Sequence, residues 1–186
     1  MNKNNINLII AVFLILAAAS ARVVNAGLHL NNFVPIAAIS VFSGFAFREK
    51  RSWALLVPIL GQFLADVYFQ LFTYTPGFYP IVDQLFTYAA IAGSASLGLL
   101  MKEHKALYVA GFTLGASAIF FIVSNFGFFL HGWNGYTASG FVKTYIDAIP
   151  FYRNSLIADV VGGIMLFGGY AATMKALTAK LQKVEA

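Results

Sequence analysis

Two carboxylates stand where a carboxylate is costly. Asp66 falls inside the apolar run 53–72 and Asp159 inside 155–178. A charge within hydrocarbon needs a partner or a task. Three chemistries suit these two. Each could form an ion pair, with Arg22 or Arg153 as cation. Either could orient a ligand or carry a proton. Finally, the two could share one proton, as in an aspartyl protease dyad. That third chemistry lacks its expected Gly-x-Gly-Asp context, because Asp159 sits in Leu156-Ile157-Ala158-Asp159-Val160-Val161. Arg22, Asn32, Asn125 and Trp133 fall at the same ends of their runs. The candidate ligand-binding set is therefore Arg22, Asn32, Asp66, Asn125, Trp133 and Asp159. The carboxylates and Asn125 would orient a ligand, and aromatic rings would stack on it.

Other chemistry finds no footing. The chain has no cysteine, so thiolate catalysis, Cys-ligated metals and disulfides are excluded. His29, His104 and His131 are scattered without metal-ligand spacing. No nucleophile–base pair can be assembled, and no Gly-x-x-x-x-Gly-Lys segment would hold ATP. Lys175 lies at the end of its run, too shallow for a retinal lysine. No enzyme and no cofactor is indicated.

The elements that position these residues follow from composition. Of 186 residues, 60% are hydrophobic and 10% charged, and the mean hydropathy is +0.76. Soluble domains are about 25% charged, so the lipid bilayer is the expected solvent. A hydrocarbon core of ~30 Å takes about 20 residues of helix. Six segments qualify, at about 6–25, 31–47, 53–72, 83–101, 107–130 and 155–178. The predicted fold is all-α, a single domain of six transmembrane helices. Pro35 enters the first turn of the second span, where its missing N–H is harmless. Pro58 should kink the third. Between the last two spans, Phe141, Val142, Tyr145, Ile146 and Ile149 recur at helical spacing. They predict a short amphipathic helix over 139–149 on the outer surface, either a pocket wall or plain packing.

Basic residues set the orientation. With the N-terminus inside, the inner segments hold Lys3, Arg48, Lys50, Arg51, Lys102, Lys105, Lys175, Lys180 and Lys183, and the outer side only Arg22, Lys143 and Arg153. That asymmetry predicts both termini inside. It also explains the net charge of +5 without nucleic acid, since the cations sit at run ends rather than on one face. Met1–Ala21 also fits a signal peptide, with Lys3 first and Ala19-Ser20-Ala21 as cleavage site.

Polar residues gather at the outer ends. Arg22, Asp66, Asp83, Asn125 and Asp159 all fall there, with Gln62 near mid-depth. Counted inward, Arg22 is about three residues deep and Asp66 about six. At ~1.5 Å per residue an arginine side chain covers the difference. The outer loops add His29, Asn31, Asn32, Tyr74, Phe78, Tyr79, His131, Trp133, Asn134, Tyr136 and Tyr145. Such a surface suits a planar organic ligand or forms an interfacial aromatic belt. Ala17-x-x-x-Ala21, Gly111-x-x-x-Gly115 and the pairs Gly162-Gly163 and Gly168-Gly169 mark close helix contacts, read mainly as intramolecular.

The chain resembles a bacterial family of uncharacterised putative transport proteins. The resemblance rests on Asn32-Phe33-Val34-Pro35-Ile36-Ala37-Ala38-Ile39-Ser40-Val41-Phe42-Ser43-Gly44, on Leu55-Leu56-Val57-Pro58 with Ala65-Asp66, and on Ser124-Asn125-Phe126-Gly127 through Ile149-Pro150-Phe151-Tyr152-Arg153-Asn154-Ser155-Leu156. It spans residues ~30–170. That family is similar in turn to the substrate-binding S components of energy-coupling factor vitamin transporters. The likeness implies six helices, both termini inside, and a pocket near the outer surface. It also implies a small vitamin-like ligand and a partner ATPase or coupling module.

The expected function is thus a small-molecule binding and uptake component of the bacterial inner membrane. The alternative is a non-catalytic accessory subunit of a larger membrane complex.

Overall fold

The computed structural model describes residues 3–30, 32–73 and 81–185. Asn31 and the aromatic loop residues Tyr74, Phe78 and Tyr79 lie outside them. Six helices and no strand occur among the described residues: α1 (Lys3–Gly27), α2 (Ile36–Ala46), α3 (Arg51–Phe72), α4 (Ile81–Leu100), α5 (Ala106–Leu130) and α6 (Ala138–Glu185). Four of them, α1, α3, α5 and α6, are long and apolar enough to cross a membrane. Helix α4 has 20 residues, but Asp83, Gln84 and a stretch of small residues dilute its apolar run.

The shortest helix is the centre. α2 is apolar on every side, so it has no solvent face and buries all of Ile36–Phe45. It contacts each of the other five helices. Its 11 residues rise roughly 16 Å, about half of a ~30 Å hydrocarbon core. Of the predicted span 31–47, the helix covers Ile36–Ala46. Pro35 stands just before the helix rather than within its first turn.

Helices α1 and α3 run parallel. Ala11, Leu14 and Ala18 form the buried stripe of α1, and Arg22 continues it at the same spacing. On α3, Ala54, Val57, Pro58, Gly61, Gln62, Ala65, Asp66 and Phe69 are buried at helical intervals. A Cβ at Gly61 would lie 2.6 Å from Ala18 Cβ, so it is Ala18, rather than Ala17 or Ala21, that carries the close contact. Because α1 and α3 point the same way, residues 28–50 must return through the bundle between them. α2 makes half of that return, and the described residues 28–30, 32–35 and 47–50 beside it are not helical.

Pro58 leaves a gap that α2 fills. Proline has no N–H for the carbonyl four residues back, here that of Ala54. Ser43 Oγ donates to this oxygen at 3.0 Å. The α2–α4 crossing is closer still. A Cβ at Gly44 would fall 2.2 Å from Ala95 O, and one at Gly98 would fall 2.2 Å from Val41 O. Backbone meets backbone there, and only glycine fits.

The predicted outer helix over 139–149 and the last span are one element. α6 runs 48 residues through Pro150. Gly140 and Thr144 face the protein, while Val142, Ile146 and Ile149 point outward. The apolar side of this stretch is thus turned away from the bundle, as on an interfacial helix. None of residues 138–149 lines the cavity described next. Of the double glycines, Gly162 packs on Pro35 and Gly163 on Thr113, whereas Gly111, Gly168 and Gly169 have open space where a Cβ would be.

Candidate functional site

A cavity of about 570 Å³ opens at one end of the bundle. Arg22, Asn25 and His29 from the end of α1 line it, with Gln62 and Phe69 of α3, Asp83 and Thr87 of α4, Phe120, Ser124, Asn125 and Phe128 of α5, and Ser155 of α6. The loop before α2 adds Asn32 and Val34, and Ile36 lies at its inner limit. The cavity exists because α2 is short. Where a full-length second helix would pass, there is only the turn 32–35. Irregular backbone at depth is tolerated where it borders a cavity.

The α1 end is shaped by an unusual residue. Leu30 N donates to Asn25 O at 3.1 Å and His29 N to Ala26 O at 3.2 Å. This paired closure normally ends in glycine. Here His29 occupies the left-handed position, with φ 55°, and its imidazole borders the cavity. Asn32 is also left-handed, at φ 57°, which asparagine tolerates better. Its carbonyl accepts from Ser155 Oγ at 2.9 Å, fixing the loop to α6.

Arg22 and Asp66 form the electrostatic floor of one wall. The Arg22 guanidinium donates to the Asp66 carboxylate, and its carbon lies 5.4 Å from the Phe69 ring centre. Tyr88 OH donates to Asp66 Oδ2 at 2.6 Å, and Gln62 Nε2 approaches Oδ1 at 3.5 Å. Asp66 is 7% exposed. The sequence expectation of an Asp66–Arg22 pair is met, and Tyr88 is the partner it did not name. Asp66 itself does not line the cavity; its partners Arg22 and Gln62 do.

Asp159 has a different place. It is 2% exposed, and its Oδ1 accepts from Ala37 N at 3.0 Å and Ala38 N at 3.1 Å. These are the second and third N–H groups of α2, the ones an N-cap side chain would take. Pro35 precedes the helix and offers no cap, so a residue from α6 supplies it. Asp159 is outside the cavity wall.

Asn125 lines the cavity, with its Nδ2 donating to Phe121 O at 2.7 Å. Trp133 does not. It is 70% exposed and stacks on His131, with centroids 5.4 Å apart and planes 16° apart. Of the six candidates, the structure thus gathers Arg22, Asn32 and Asn125 around one space. It sets Asp66 just behind Arg22, Asp159 behind α2, and Trp133 on the surface. The polar lining residues outside the candidate set are Asn25, His29, Gln62, Asp83, Thr87, Ser124 and Ser155. Their common signal is polarity near the ends of apolar runs, which the sequence shows for Asp83 and His29. No group of metal-ligating side chains occurs among the described residues.

Four helices of membrane-crossing length and apolarity, packed around a buried central half-helix, mark the chain as a helical membrane protein. It belongs to a family of unknown function, DUF6580, whose model matches residues 2–181. No curated protein and no solved structure matches the chain.

Proposed function

We propose that the protein binds a small organic solute from the outer face of the bacterial inner membrane, as the substrate-binding part of an uptake system. In this reading the chain crosses six times with both termini inside. The second crossing consists of α2 and the turn before it. The observation that carries the reading is the cavity of about 570 Å³ with its polar wall. Its size falls within the ~300–1,000 Å³ of small-molecule sites. It lies at the bundle end opposite Arg48, Arg51, Lys102 and Lys105, which the charge rule puts inside. The likeness to vitamin-binding S components agrees with this arrangement. Energy would come from a partner ATPase or coupling module rather than from ions on Asp66 or Asp159, since both carboxylates already have partners.

Native mass spectrometry of the protein in detergent tests the reading. A retained small molecule, lost when Asn125 is replaced, supports it. A protein that carries nothing and is stable only with other subunits opposes it. Reporter fusions after residue 102 and after Ala186 should both report inside; an outside C-terminus would remove the topology.

The accessory-subunit reading has one observation in its favour. An apolar groove of about 390 Å³ runs along Leu97, Leu107, Tyr108, Gly111, Phe112 and Gly115, where another helix would fit.

A further inference from the structure

We propose that the apolar groove between α4 and the start of α5 is a lipid site: it holds one acyl chain of an anionic phospholipid, and Lys102 and Lys105 receive the charged headgroup. This face is separate from the polar cavity, and the two share no lining residue.

Missing side chains make the groove. Gly111 and Gly115 stand about one turn apart on α5. A Cβ at Gly111 would have nothing within 4 Å, and one at Gly115 would first meet Leu97 Cδ1 at 3.6 Å. Leu107, Tyr108 and Phe112 complete a trough of about 390 Å³, whose only polar side-chain group is the Tyr108 hydroxyl. Ile119 is next in the row of Gly111 and Gly115. Its Cγ2 lies 3.3 Å from where a Cβ of Gly93 would be, so the row is filled one turn beyond Gly115. From Leu107 to Gly115 the helix rises about 12 Å, less than half of a ~30 Å hydrocarbon core. A partner helix crossing the bilayer would need a seam of full depth. A lipid chain needs only its own leaflet.

Charge places the headgroup. Lys105 is the N-cap residue of α5, two positions before Leu107, and Lys102 follows the end of α4 at Leu100. Both thus stand in the link between the two helices that form the groove. Lys102 has no ion pair among the described residues. Lys105 pairs with Glu103 at 2.7 Å, but both side chains are open to solvent, where such a pair is weak. The His104 ring lies 5.9 Å from that of Phe45, which ties this link to the end of α2. Arg48, Lys50 and Arg51 follow there, so this end of the bundle carries five cations against Glu49 and Glu103. Basic side chains near a membrane surface favour anionic over neutral lipid. Tyr108, half-exposed in the first turn of α5, suits the headgroup level where tyrosine concentrates.

Native mass spectrometry of the whole protein in detergent tests this, with phosphatidylglycerol and phosphatidylethanolamine of identical acyl chains offered at equal concentration. One phosphatidylglycerol should be retained, about tenfold or more in preference to phosphatidylethanolamine. The double variant Lys102→Gln/Lys105→Gln should bring that ratio close to equality. Gly111→Phe fills open space; it should cut retention of both lipids by about tenfold and leave the melting temperature in lipid-free detergent unchanged. The headgroup comparison needs no variant, so it stands if a variant fails to fold. Equal retention of the two lipids, or a ratio untouched by the lysine substitutions, overturns the headgroup assignment. Retention untouched by Gly111→Phe overturns the groove as the site of the chain. A dimer that Gly111→Phe dissociates, with no lipid retained, puts a second copy of the chain in the groove and overturns the lipid site.

Discussion

Asp159 Oδ1 receives the backbone N–H groups of Ala37 and Ala38, joining residues 122 and 121 positions apart in the chain. The last helix caps the second. A capping carboxylate also complements the positive end of the helix dipole. Asp159→Leu would leave two buried amides unpaired, at about 1–3 kcal/mol each. Asp159→Asn keeps an acceptor and should lose less. Thermal unfolding in detergent should rank wild type above Asn and Asn above Leu. Solute affinity per folded molecule should hold in Asp159→Asn, because Asp159 is outside the cavity wall.

The Arg22–Asp66 pair predicts a coupled loss. Removing one partner strands the other, at about 3–5 kcal/mol for a buried pair. Arg22→Leu and Asp66→Leu should therefore each destabilise strongly, and the double variant should lose clearly less than their sum. A double-mutant cycle measures this directly. Additive losses would mean that the two side chains do not support one another. Tyr88→Phe removes one bond to the carboxylate and should cost about 1.5–3 kcal/mol.

The glycines divide into two groups. Gly44→Ala and Gly98→Ala each place a methyl group on facing backbone, so both should reduce the yield of folded monomer, with overpacking of about 1–3 kcal/mol or more. Gly111→Ala and Gly168→Ala meet open space and should be neutral or stabilise by up to about 1 kcal/mol. Size-exclusion profiles and melting temperatures of the four variants separate the groups.

His29 trades stability for position. Glycine there would relieve a left-handed conformation that costs other residues about 1–2 kcal/mol. His29→Gly should raise the melting temperature and weaken solute binding together. A variant that binds as before would show that the imidazole has no part in the site.

Sequence and structure agree best where depth alone decides. The approach of Arg22 to Asp66 follows from counting residues inward from the ends of their runs. The shortness of α2 is not legible, because hydropathy registers Asn32–Ile36 as a continuation of an apolar run and cannot see that the helix begins only after Pro35. The sequence leaves an ion pair, a ligand role and a proton role open for Asp159, because the two backbone amides it receives have no side-chain signature. Trp133 fits the aromatic-loop pattern equally well on a surface and in a pocket. Tyr88 passed unnoticed because a tyrosine inside an apolar helix gives no hint of which carboxylate it meets. The sequence separates a helix over 139–149 from a span over 155–178, whereas one helix runs through both, because a proline can sit within a continuing helix when the surrounding packing holds it.

The central position of α2 bears on how the chain is made. A largely apolar helix of eleven residues falls short of the length that lets a segment enter a bilayer unaided. The helix reaches its place only with its neighbours around it. Its cap is delivered by Asp159, which lies 122 positions beyond Ala37 in the chain and is made after α3, α4 and α5. A nascent chain halted before that residue holds five helices and an uncapped centre. The cap of α2 is therefore complete only once α6 has been made and packed against it.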